Sequence, residues 1–243
     1  MGNRVPLELG GYVLAGGRSS RMGRDKALIE LAGKPLIEHA VRKLRRVCRS
    51  VCILGTNPAL KPFAPLVPDI HPNCGPIGGM EAALAHSLYD WNVLLAVDMP
   101  FLPVAFIWNW TEAWLEPEME REFGPGIRMF SSDGRPQPGF CLVHKEVGPF
   151  LSEAIERREF KLMKVFEAAG MELGLRRGSR ITGLWNVPAT GLESPIAAEA
   201  TFSARDWRRI TDAQRAAQFL WFANLNTPQE FAVAEAHSDA LDA

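Results

Sequence analysis

"GYVLAGGRSSRMGRDKALIELAGKPLIEHAVRKLRRVCRSVCILGTN", Gly11 to Asn57, decides the architecture. It opens with a short apolar run, Gly11 to Ala15, that leads straight into glycines, the pattern of a buried strand feeding a loop. Beyond the loop, Leu36, Ile37, Ala40, Val41, Leu44 and Val47 recur at helical spacing, with arginines and a lysine on the other face. The basic run Arg42 to Arg49 therefore reads as the solvated side of this helix. "SVCILGTN" is a second buried strand ending in turn residues.

Working outward, "GPIGGMEAALAHSLYD" predicts a turn followed by an amphipathic helix, and "WNVLLAVDMPFL" a third buried strand ending on Asp98 and Pro100. Strand, loop, helix, strand, helix, strand, with continuous rather than alternating apolar strands, specifies a parallel sheet covered on both faces. The expected class is α/β, a three-layer sandwich about a mostly parallel central sheet. Ligands of such sheets bind beyond the carboxyl ends of the strands. The glycine loop, Asp69 and Asp98 all follow predicted strands, so they should gather on one edge.

The second half is less regular. "RMFSSDGRPQPGFCLVHKEV" reads as two strands joined by a glycine and proline turn, and "PFLSEAIERREFKLMKVFEAAG" as helical. Residues 171–223 mix Gly, Pro, Trp and charge without a period and receive no elements. In "NLNTPQEFAVAEAHS", Thr227 is placed to cap a helix, Pro228 to take its first position and Glu230 to complete a capping box. The terminal "HSDALDA" is expected to fray. Residues 1–243 thus form one domain with an atypical insertion at about 171–223.

Bulk properties narrow the chemistry. The 243 residues are 47% hydrophobic and 23% charged, ordinary for a globular domain. The formal net charge of −1 gives no global field toward nucleic acid or acidic membranes, so any anion site must be local. Four cysteines, Cys48, Cys52, Cys74 and Cys141, form no CxxC pair, which fits a reducing compartment. The first residues lack the apolar core of a signal peptide and no run of eighteen apolar residues occurs. The expectation is a cytoplasmic protein without a nucleic acid or membrane partner. The five histidines are scattered without metal-ligand spacing, and Trp108, Trp110 and Trp114 fall at helical spacing as core residues do.

A triphosphate presents several negative charges, and binding it asks for close backbone N–H groups and reaching cations. Gly16 and Gly17 allow the approach, Ser19 and Ser20 add hydroxyls, and Arg21, Arg24 and Lys26 add charge. The segment is not a P-loop, because Arg24-Asp25 stands where Lys-Ser/Thr is required. On these grounds alone it is either an anion cradle or a solvated basic loop.

"LAGGRSSRMGRDK" closely resembles the nucleotide-binding signature of the molybdenum cofactor guanylyltransferases, LAGGxSxRMGxDK. "PDIHPNCGPIGGMEAAL", "LLAVDMPFL" and "NLNTPQEF" follow in the family's order. The resemblance covers residues 11 to about 170 and resumes at 223–232. Cytidylyl and sugar-phosphate relatives usually carry LAAG, so Gly17 with Asp25-Lys26 favours the guanylyl branch.

The resemblance implies a Rossmann-like fold of the nucleotide-diphospho-sugar transferase type, and transfer of GMP from GTP to molybdopterin with release of pyrophosphate. It also implies Mg²⁺, held by Asp98, and cofactor-insertion proteins or molybdoenzymes as further partners. Lys26, Arg21 and Asp98 would be catalytic. Leu14, Ala15, Gly16, Gly17, Lys26, Asp69, Gly79 and Asp98 would hold the nucleotide, and Gln137, Asn224 and Asn226 would face the pterin. Gly78 replaces a usual alanine. The family's nucleotide-contacting Asn after the second strand falls here on Gly55, so Asn57 either substitutes or the contact is lost. A cytidylyltransferase, a sugar- or polyol-phosphate nucleotidyltransferase, a nucleotide-binding regulator and a docking protein are the alternatives.

Overall fold

The computed structural model describes residues 5–15, 25–116, 126–132, 135–176, 184–188 and 209–242. In chain order its strands are β1 (Leu7–Leu14), the short β2 (Glu30–Leu31) and β3 (Lys34–Pro35), β4 (Cys48–Leu54), β5 (Leu66–Val67), β6 (Trp91–Ala96), β7 (Ile127–Ser132), β8 (Arg135–His144) and β9 (Leu184–Pro188). Its α-helices are α1 (Leu36–Arg45), α2 (Pro76–His86), α3 (Val104–Trp114), α4 (Gly148–Glu156), α5 (Leu162–Arg176), α6 (Asp212–Ala216) and α7 (Pro228–Ala236).

Apart from the β2–β3 hairpin, the strands form one seven-stranded sheet in the order β5-β4-β1-β6-β8-β7-β9. All run parallel except β8, which pairs antiparallel with β6 and with β7. Successive side chains of a strand point to opposite faces, and both faces are apolar here. Leu9, Val13, Ile53, Val93, Leu95, Phe140 and Leu142 meet α1 and α3 on one side. Tyr12, Cys52, Leu54, Leu94, Met129, Cys141 and Val143 meet α2, α4 and α5 on the other. This is the three-layer sandwich that the continuous apolar runs specify. Trp110 packs with Phe130 and Phe140 at ring-centroid distances of 5.0 and 4.9 Å, a core position.

The register places the site. Leu14 of β1 pairs with Leu54 of β4 on one side and Ala96 of β6 on the other, so the three strands end level. Ala15, Gly55 and Val97 then leave the sheet together. Because β8 runs the other way, its amino end reaches the same edge, with Phe140 opposite Leu95.

Three expectations change. Lys43 is buried rather than solvated, because Asp242 reaches it from the far end of the chain. The terminal residues through Asp242 do not fray, since Asp242 also accepts from the Val104 backbone N–H at 3.1 Å and from Gln214 Nε2 at 3.1 Å; Ala243 lies outside the described residues. The span 171–223 is in part integral: its described residues finish α5, add β9 alongside β7 and supply α6. Neither a five-residue strand nor a five-residue helix is long enough to show a period.

Candidate active site

Three segments distant in sequence meet beyond the level ends of β1 and β6. Asp25 caps a single 3₁₀ turn, Lys26–Leu28, its Oδ1 accepting from the Ala27 N–H at 3.0 Å. Its Oδ2 accepts from Asn57 Nδ2. Held between these bonds, Asp25 fixes the point from which Lys26 departs. Lys26 Nζ donates to Asp98 Oδ2 at 2.5 Å and to Asn226 Oδ1 at 2.6 Å. Asp98 follows β6, and its backbone carbonyl accepts from the Leu225 N–H at 3.0 Å. The side chains of Lys26 and Asp98 keep 14% and 18% of their accessible surface, so the pair is largely shielded yet reachable.

Asn226 owes its position to the start of α7. The expected capping box forms: Thr227 accepts from the Glu230 N–H, and the Glu230 carboxylate accepts from the N–H groups of Thr227 and Asn226 at 2.7 and 2.5 Å. Those N–H bonds hold the Glu230 carboxyl below its ordinary range, with Lys26 adding to the effect. Asn226 Nδ2 donates to the Asn224 carbonyl at 3.1 Å, completing a tight polar turn. A Cβ on Gly139 of β8 would stand 3.3 Å from Ala96 Cβ and 3.9 Å from Asn224 Oδ1. Gln137, two residues earlier on β8, therefore lies on the same edge, half-buried.

Asp69 and Gly79 form a second group across the strand ends. α2 begins after Gly75, whose φ of 67° favours glycine, and takes Pro76 in its first turn. Gly79 touches the tips of β1 and β4: a Cβ there would lie 3.6 Å from Leu54, 3.8 Å from Leu14 and 3.8 Å from Asp69 Oδ1. Burial and the nearby Glu81 charge raise the Asp69 carboxyl above its usual range. Leu14 offers its backbone, and its carbonyl already accepts from the Val97 N–H at 3.2 Å.

Thus Lys26 contacts both Asp98 and Asn226, Asn224 adjoins Asn226, Gln137 lies on the same sheet edge, and Asp69 and Gly79 flank the Leu14–Ala15 strand end. Gly16, Gly17 and Arg21 lie outside the described residues. Gly55 has a φ of 134°, a backbone that favours glycine over the family asparagine. Asn57 is turned toward Asp25 and caps Ala59, so in this structure it braces the loop. Sequence reasoning missed His71, Glu81 and Ser152, which form a chain beside Asp69. Glu81 reads as an ordinary polar position of a helix, and no spacing links residue 152 to it.

Among the described residues no group of three or more His, Cys, Asp or Glu side chains could cage a metal. Mg²⁺ bound through substrate phosphates needs only one or two carboxylates. Asp98 fits that demand: Lys26 takes one carboxylate oxygen, and no described residue hydrogen-bonds the other.

Residues 11–172 match the family of MobA-like NTP transferase domains. The molybdenum cofactor guanylyltransferase of Serratia proteamaculans is 34% identical over 169 residues, covering 67% of this chain and 81% of that protein. Molybdopterin-guanine dinucleotide biosynthesis protein A of Archaeoglobus fulgidus superposes with a TM-score of 0.66 at 22% identity, covering 96% of this chain and 100% of the other. The 4-diphosphocytidyl-2C-methyl-D-erythritol synthase of Anaerococcus prevotii superposes at 0.59 with 9% identity, covering 96% of each. At such identities the likeness is one of fold, that of the nucleotide-diphospho-sugar transferases.

Proposed function

The chain belongs to the MobA-like NTP transferase family, and on that footing we propose that it transfers GMP from GTP to molybdopterin, yielding the guanine dinucleotide cofactor and pyrophosphate. The observation that carries this reading is the convergence of Lys26, Asp98 and Asn226 beyond the level ends of β1 and β6.

The chemistry asks for alignment more than for proton transfer. A phosphate oxygen of molybdopterin attacks the α-phosphorus of GTP. The bond from that phosphorus to the oxygen bridging to the β-phosphate breaks, and pyrophosphate leaves with the electron pair. The nucleophile is already anionic, so no side chain need act as base, and the protein contributes orientation and charge neutralisation. Lys26 meets the triphosphate, with Arg21 as a second cation. Asp98 would hold Mg²⁺, which supplies charge neutralisation on the phosphates. Leu14, Ala15, Gly16, Gly17, Asp69 and Gly79 line the nucleotide side, and Gln137, Asn224 and Asn226 the pterin side. The free cysteines and the need for GTP favour the cytoplasm, with cofactor-insertion proteins or molybdoenzymes taking the product.

The test is incubation of the protein with each nucleoside triphosphate, Mg²⁺ and molybdopterin, followed by detection of the dinucleotide. GTP alone should give product, with equimolar pyrophosphate. Transfer of CMP in preference to GMP would overturn the guanylyl assignment.

A further inference from the structure

Glu81 lies in the second turn of α2 and its side chain is 4% accessible, an expensive place for a carboxylate unless it is bonded. Both oxygens are bonded: Oε2 accepts from His71 Nδ1 at 2.8 Å, and Oε1 accepts from Ser152 Oγ of α4 at 2.7 Å. His71 belongs to the loop between β5 and α2, and its other face is open, with 47% of the side chain accessible. Ser152 comes from a helix packed on the same layer, so the carboxylate is anchored to the scaffold on one side and holds the loop on the other.

The loop so held is the one that carries Asp69. It lies hard against the first turn of α2: a Cβ on Gly78 would come within 3.1 Å of the His71 carbonyl, 3.2 Å of Cys74 Cβ and 3.6 Å of Asp69 Oδ2. The Gly78 N–H closes the turn on the Gly75 carbonyl at 3.2 Å. Among the described residues, none hydrogen-bonds the Asp69 carboxylate, and His71, two residues on, is the nearest point beyond it at which the loop is tied to the scaffold.

We propose that His71 and Glu81 are positioning residues for the nucleotide side of the site, acting as a brace, Ser152–Glu81–His71, that sets where Asp69 meets the nucleotide. The proposal rests on the guanylyltransferase reading for the identity of that nucleotide, while the brace itself does not. Asp69 also sits in the field of the Glu81 charge.

Positioning of a binding group changes KM and leaves the chemical step intact. His71→Ala and Glu81→Ala should each raise KM for GTP about tenfold with kcat within about twofold of the parent. The double variant should be no worse than either single one, because both break one connection. Glu81→Gln can accept from His71 through its amide oxygen and donate to Ser152 through its amide nitrogen, and should recover most of the loss. Since His71 is half-exposed, His71→Ala keeps the test open even if Glu81→Ala folds poorly. Hydrogen exchange supplies a readout independent of any nucleotide: amides of residues 68–78 should exchange faster in both alanine variants, with β1 and β6 unchanged.

Unaltered exchange in that loop, additive effects in the double variant, or a fall in kcat equal to the loss in kcat/KM would overturn the brace. A rise in KM for CTP rather than GTP would support the brace and overturn the guanylyl reading. No rise with either nucleotide would overturn the brace alone.

Discussion

Lys26 Nζ stands 2.5 Å from Asp98 Oδ2, although 72 positions separate the two residues. On the proposed function, the cation that would meet phosphate and the carboxylate that would hold Mg²⁺ are here satisfied by each other. Binding of a metal-bound triphosphate at this proposed site would exchange one set of charge partners for another. Removing the Asp98 charge should free Lys26 for phosphate. Asp98→Asn is expected to bind metal-free GTP at least as tightly as the parent, by calorimetry, while losing magnesium-dependent transfer. Lys26→Ala should lower kcat/KM by about 10²–10³, the usual cost of one preorganised donor. Retained transfer in Asp98→Asn would contradict the role given to this carboxylate.

The second ion pair predicts stability rather than turnover. Lys43 is fully enclosed, and burial pulls its ammonium below the ordinary lysine range while Asp242 opposes the shift. Asp242→Ala leaves a buried charge unpaired, and such losses typically cost about 3–5 kcal/mol. Replacing both partners, as Lys43→Met with Asp242→Leu, should recover most of that in urea unfolding. Equal losses in the single and double variants would mean that the pair is not what holds the terminus.

Acid sensitivity should trace in part to His39. The ring is buried, and its Nε2 donates to the Leu31 carbonyl at 2.9 Å. Burial holds its pKa below the ordinary 6.5, the Leu31 bond opposing and Lys43 and Lys34 adding to the depression. As pH falls through 6.5 the unfolded chain takes up the proton first, so stability present above that pH declines below it. His39→Gln keeps a donor for Leu31 without titrating. Its unfolding free energy should be flatter than the parent's between neutral pH and 5, a difference that denaturation midpoints across that range would reveal.

Adjacent glycines should behave differently. At Gly79 an alanine Cβ meets its neighbours at 3.6 Å or more, an ordinary contact, and alanine favours a helix by about 0.5–1 kcal/mol over glycine. At Gly78 the same atom lies 3.1 Å from a backbone carbonyl. Gly79→Ala should be neutral or stabilising in thermal unfolding, and Gly78→Ala should displace the Asp69 loop and raise KM for GTP.

The parts of this protein that sequence made legible are those whose physics is local. Continuous apolar strands announced a sheet buried on both faces, and Thr227, Pro228 and Glu230 announced a helix start that forms as drawn. Asp98 could be placed at a strand end because the strand itself was unmistakable. What stayed hidden depends on partners supplied by topology. Lys43 looked like one more solvated lysine until Asp242 arrived 199 positions later. Glu81 looked like a helix-surface residue until α4 and the β5–α2 loop closed over it. Asn57, weighed as a nucleotide contact, spends its amide on Asp25, a pairing no spacing rule foretells.

Hydrogen bonds among the described residues tie the C-terminal segment to the N-terminal third, among them Asn226 to Lys26, Glu235 to the Ala32 backbone, and Asp242 to Lys43. For a chain made in one direction, this has a temporal meaning. Lys26 emerges about 200 residues before Asn226, its hydrogen-bond partner, an interval of roughly 10–40 s at ordinary ribosomal speeds. During that interval the nascent chain lacks both Asn226 and the core residues Trp221 and Leu225. A chain cut short before residue 224 would therefore carry Lys26 and Asp98 without the Asn224–Asn226 turn, and the proposed site would be completed only in a late event.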